Sequence, residues 1–212
     1  MSKSVFHWGG VIASVILVAM GAGSIVIGAS GHHEVGIDLN RERITGTPDM
    51  TPSAIRAAIK EAGLKNVEGV PTCTVADKPV NTGDRAKCFA QYMRIHALEA
   101  TGGRVYAEMG QYLTPAGKET NDKAAAAKDP KTGAPVANGA RNVWVTETAL
   151  TTALNTSFFA QQVALFSMIV GIALLLAGIG FLVLTLGLVR PGKPPVPHLG
   201  HEHGAGPPTP AA

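Results

Sequence analysis

The strongest ligating and redox chemistry in this 212-residue chain belongs to its seven histidines and two cysteines. In the C-terminal tail, His198, His201 and His203 surround Glu202 at a spacing that can catch zinc, nickel or copper in a flexible segment. Such binding is weak without a folded shell to orient the rings. His32-His33-Glu34 follows a long apolar run, and interfacial polar residues are its simplest reading. His96 stands with Tyr92 and Glu99 at helical spacing, a set able to hold a ligand or to make a structural hydrogen bond. None of these groups forms a cofactor motif, and no cofactor is expected.

Cys73 and Cys88 both fall in the hydrophilic middle of the chain. A pair confined to one such region reads as a disulfide formed in an oxidising compartment, with two free thiols as the alternative. Closing a loop of ~15 residues is worth about 3 kcal/mol on the chain-entropy view. The spacing is not C-x-x-C, so neither redox catalysis nor structural zinc is indicated. The chain contains no G-x-S-x-G, P-loop, H-E-x-x-H or G-x-G-x-x-G. Its carboxylates are scattered singly among lysines, as on a solvated surface. No enzyme activity is expected.

These residues are positioned by an unusual distribution of hydrophobicity. Trp8 to Ser30 carries no charge and covers roughly 34 Å at ~1.5 Å per residue, enough for a bilayer core of about 30 Å. Val163 to Val189 is a second such run, inside an uncharged window that begins at Thr148. The first is longer than the apolar core of a signal peptide, although Gly28-Ala29-Ser30 has the small residues of a cleavage site. Neither span holds an ionisable residue, which argues against an ion or proton pathway.

Small residues line both spans. Gly10, Ser14, Leu17, Gly21, Ser24, Gly28 and Gly31 follow one another at alternating four- and three-residue steps. Ala173, Ala177, Gly180 and Gly187 form a similar stripe in the second span. Such faces let helix backbones approach where lipid supplies no hydrophobic drive. They imply packing of the two spans, or docking onto another membrane protein.

Two spans place both termini on one side of a membrane. Lys3, Arg190 and Lys193 flank them and suit the cytoplasmic face, while a loop of this length crosses largely regardless of its charge. Residues 31–147 carry 15 basic and 14 acidic side chains. With so little net charge and only 5% aromatic residues, nucleic acid is not an expected partner.

Within the loop, Val35, Ile37 and Leu39 alternate, which predicts an extended exit from the first span over Val35–Thr45. Thr51-Pro52 predicts the start of an amphipathic helix over 52–62, and Gly63 its end. Asp84 is placed to cap a second helix over 85–100, with Phe89, Tyr92, Met93, His96 and Ala97 on one face. Residues 114–142, rich in Ala, Lys, Pro, Gly and Asn, read as a mobile insertion. No breaker follows Val143 until Gly171, so one long helix is expected from about Thr146 to Leu188. The tail from Pro191 to Ala212 holds seven prolines and no apolar period, and reads as disordered.

The run His96-Ala97-Leu98-Glu99-Ala100-Thr101-Gly102-Gly103-Arg104-Val105-Tyr106-Ala107-Glu108-Met109 resembles a segment of small two-span membrane proteins common in actinobacteria, often labelled automatically as aromatic ring-opening dioxygenase-like. Ala90-Gln91-Tyr92 and Arg141-Asn142-Val143-Trp144 are similar too. The resemblance covers about half the chain and implies an uncharacterised membrane family with this run between the spans. Ring-cleaving iron chemistry takes two histidines and a carboxylate converging on one metal. In the loop only His32, His33 and His96 are available.

The expected architecture is therefore mainly α, with two transmembrane helices flanking a small α-rich extracytoplasmic domain of minor strand content. Residues 1–7 form a cytoplasmic N-terminus, 8–30 the first span, 31–157 the domain, 158–189 the second span and 190–212 the cytoplasmic tail. The expected role is a non-enzymatic accessory or structural subunit in the plasma membrane, partnered by lipid and by a membrane protein or a second copy of itself. The alternative is an envelope protein that binds a ligand or metal through His96 and the histidine clusters.

Overall fold

The computed structural model describes residues 3–187, with side chains from Trp8 onward. It is mainly helical: α1 (Lys3–Arg41), α2 (Pro52–Glu61), α3 (Gly83–Ala100) and α4 (Gly139–Gly187), with β1 (Tyr112–Leu113) and β2 (Glu119–Thr120) between α3 and α4. Both α1 and α4 are long and apolar enough to cross a membrane. Only 11% of each apolar window is buried, so neither is the core helix of a globule. Ile16, Val26, Phe166, Ile172, Leu176 and Phe181 point outward from the pair.

The two helices run antiparallel with their backbones in close approach. Gly21 faces Gly171 so closely that a Cβ on either would lie 2.7 Å from the other's carbonyl oxygen. Gly28 meets the Ala164 carbonyl, Gly10 meets Thr185, and Gly178 meets Leu17 and Val18. Ser14 is fully buried on the same face and satisfies its hydroxyl on the Gly10 carbonyl at 2.8 Å. The predicted small-residue face of α1 is therefore the one that packs. The α4 stripe is not: Ala173, Ala177, Gly180 and Gly187 are exposed, and nothing lies within 4 Å of a Cβ at Gly180 or Gly187. The true α4 face is Ala164, Gly171, Gly178 and Thr185. Its seven-residue interval matches Ser14, Gly21 and Gly28, the period that keeps one seam facing a partner helix.

Three boundaries differ from expectation. Helix α1 does not become extended after Ser30 but continues to Arg41. Val35 and Leu39 are four apart as well as alternating, and in a helix they share the face that packs into the core, where Leu39 is buried. Helix α3 begins after Thr82, whose hydroxyl accepts the Arg85 N–H at 3.3 Å. Asp84 lies inside the first turn instead, where its charge complements the helix dipole. Helix α4 begins at Gly139, where the Asn138 side chain accepts the Ala140 N–H, so its helical extension starts earlier than Thr146. The predicted start of α2 stands, with Thr51 accepting from Ala54 and Pro52 in the first turn.

The core gathers Leu39 of α1, Met50, Ile55 of α2, Val75, Val80 and the α3 residues Phe89, Tyr92 and Ile95. A Cβ at Gly46 would overlap the Val75 carbonyl, which fixes the tight pairing of the 44–46 and 76–80 segments. Helix α3 lies along α4, with Ala86, Ala90 and Ala97 buried. At its start the Gln161 side chain accepts the Gly83 N–H at 2.6 Å inside the contact. At its end Trp144 donates its indole N–H to the Arg104 carbonyl at 2.9 Å.

The segment expected to be a mobile insertion is folded. Strands β1 and β2 pair antiparallel with Tyr112 opposite Thr120, and Tyr112 also bridges to Ala137. Asp129 holds an outer turn by accepting the Lys131 and Thr132 N–H groups, which lower its carboxyl below the usual range. The segment is poor in apolar residues because its order comes from backbone pairing and turn side chains rather than from a core.

Candidate functional site

Tyr92, His96 and Glu99 divide between two structures. Tyr92 is fully buried and donates its phenol to the Cys73 carbonyl at 2.7 Å. Burial pushes that phenol above its ordinary value. Cys73 and Cys88 are joined as a disulfide, which clamps the loop before α3 onto the second turn of that helix. Tyr92 and the disulfide thus brace the same loop, a supporting role that the helical spacing with His96 did not reveal.

His96 and Glu99 do meet, Nδ1 to Oε2 at 2.8 Å. The third member is Asp49, whose carboxylate lies 3.5 Å from Nε2. Sequence offered no signal for Asp49, which reaches the ring only because the turn before α2 folds against α3. The two carboxylates approach opposite ring nitrogens, so the three side chains cannot converge on one ion. Among the described residues no group of three or more His, Cys, Asp or Glu side chains is placed to hold a metal. His32 and His33 are exposed on α1. His198, His201 and His203 lie outside the described residues, as does the tail from 190 to 212.

Beside His96 runs a groove of about 420 Å³ between α3 and the first turns of α4. Its walls include Met93, His96, Ala97, Val143, Thr146 and Glu147. Glu147 is buried, and its carboxylate receives the neighbouring Thr148 hydroxyl at 3.2 Å. Neither the groove nor Glu147 was evident from the sequence, because the facing residues are separated by some fifty positions.

A second polar network holds the β1–β2 lobe. Glu119 accepts both guanidinium nitrogens of Arg104, at 2.8 and 2.9 Å, together with the Gly110 N–H and the Asn138 amide. The Arg104 guanidinium, then the Gly110 N–H, hold its carboxyl down at about 2. Thr101 and Trp144 complete the network: the Thr101 hydroxyl serves the Ala97 and Arg104 carbonyls, and the indole reaches both Thr101 and Arg104. Arg141 lies over the Tyr106 ring at 3.8 Å. The two stretches His96–Met109 and Arg141–Trp144, far apart in sequence, therefore pack directly on each other. Gly102 and Gly103, both in the left-handed region, make the turn that permits it.

Comparison of the chain with protein-family models, with curated proteins and with solved structures finds no match.

Proposed function

We propose that this chain is a two-span membrane protein that serves as a non-enzymatic accessory subunit, holding its folded domain outside the cytoplasm and docking a partner through the outer face of α4. The observation that carries the proposal is the use of two different small-residue faces on α4. One face, Gly171 and Gly178, is filled by α1. The other, Ala173, Ala177, Gly180 and Gly187, is open and suits a further helix from a membrane protein or a second copy.

The membrane reading rests on the outward apolar surface of both helices. A cleaved signal sequence would strip α4 of the partner that buries Gly171, Gly178 and Ala164, so α1 is read as a retained anchor. The side assignment rests on the disulfide, which belongs to an oxidising compartment. The resemblance to two-span actinobacterial proteins fits this reading. The segments that carry it form a packing unit around Trp144 and contain no convergent metal set.

Extraction in mild detergent is expected to recover the chain with a stoichiometric partner, and Ala177→Leu to release that partner while leaving the hairpin intact. Recovery of only an isolated monomer from native membranes would overturn the reading.

A further inference from the structure

Glu147 is 5% exposed, and its carboxylate makes no ion pair among the described residues. Its hydrogen-bond partner there is the hydroxyl of the next residue, Thr148. Arg94, which shares a smaller polar cleft with Glu147, has its guanidinium 5.5 Å from the Trp144 ring centroid and does not pair with it. A carboxylate so deeply placed is costly unless a cation or several donors meet it.

The groove that Glu147 lines has the complementary property. Met93, Ala97 and Val143 supply apolar wall. The His96 ring is engaged elsewhere: its Nδ1 meets Glu99 at 2.8 Å and its Nε2 lies 3.5 Å from the Asp49 carboxylate. That Nε2 is also shielded from water, so the ring presents carbon rather than a free nitrogen to the groove. Glu147 is thus the carboxylate among the residues that line the groove, while Asp49 and Glu99 are turned to the His96 ring.

We propose that this groove binds a small organic ammonium, with the charged head on Glu147 and a short apolar body along Met93, Ala97 and Val143. A volume near 420 Å³ lies within the range of small-molecule sites, which combine apolar walls with a few placed polar groups. The proposal stands apart from the membrane role, since every group it uses belongs to the domain side of α3 and α4.

The test uses the full chain in phosphatidylcholine nanodiscs, with hexylammonium as the probe and saturation-transfer NMR as the readout. Saturable binding is expected, with hexanoate at least tenfold weaker. Glu147→Gln should weaken hexylammonium at least tenfold. Asn142→Trp, which fills the groove from an exposed position, should abolish binding without touching the carboxylate. No saturable binding to the wild type, equal binding of hexanoate, or unchanged binding in either folded variant would overturn the proposal. Should Glu147→Gln fail to fold, Asn142→Trp and the hexanoate comparison decide it.

Discussion

Gly171→Ala and Gly180→Ala make the same change on opposite faces of α4, and the account predicts opposite outcomes. A methyl on Gly171 would sit 2.7 Å from the Gly21 carbonyl oxygen and 2.9 Å from the Ile25 nitrogen. Both are backbone atoms and cannot turn aside. Carbon contacts become favourable near ~3.5 Å, so the helices must part by roughly 0.8 Å, a gap that forfeits a quarter to a half of each neighbouring contact. Overpacking of this kind costs about 1–3 kcal/mol, and the rigidity of the contact places this case toward about 3. A methyl on Gly180 meets nothing within 4 Å. There the higher helix propensity of alanine leaves stability unchanged or raised by up to about 1 kcal/mol. Steric-trap unfolding of the purified chain in bicelles measures both. Equal effects of the two substitutions, or a neutral Gly171→Ala, would refute the assigned face.

The remaining predictions concern the domain. Cys88→Ser should destabilise it by about 3 kcal/mol and expose the 64–80 loop to proteolysis, read by limited digestion. Trp144→Phe should leave the Arg104 carbonyl without its indole donor and cost about 1–2 kcal/mol in denaturant unfolding. Gln161→Leu should orphan the buried Gly83 N–H and cost about 1–3 kcal/mol by the same assay. Glu119 is held below its ordinary 4.5, at about 2. Its contribution is therefore complete above about 4.5 and is lost progressively as pH falls toward 2. Acid titration of the β1–β2 lobe by NMR should show that loss, and Glu119→Gln should remove the part seen at Arg104, Gly110 and Asn138 while leaving that of the Asp129 turn.

Much of the architecture was legible because it rests on local chemistry. The apolar runs, the Thr51-Pro52 helix start, the cysteine pair and the small-residue face of α1 all show as residue types at fixed spacing. The α4 face was misread because small residues occur on several sides of an apolar helix. Ala173, Gly180 and Gly187 repeat every seven residues just as Ala164, Gly171 and Gly178 do, so spacing alone does not tell the packed face from the open one. The continuation of α1 was missed because Val35, Ile37 and Leu39 fit period two, whereas burial of Leu39 belongs to the four-residue step. The β1–β2 lobe escaped notice because hydrogen bonds, unlike apolar stripes, leave no periodic trace. Met93, His96 and Glu147 come together only through tertiary folding, so their groove had no sequence signature at all.

The central claim is that α4 holds α1 on one face and a membrane partner on the other. Photo-crosslinking in native membranes from a benzoylphenylalanine placed at position 177 tests it most directly. The account predicts a discrete protein adduct, of a partner or a second copy, that disappears when Gly180 is replaced by Leu. Adducts confined to lipid would contradict it.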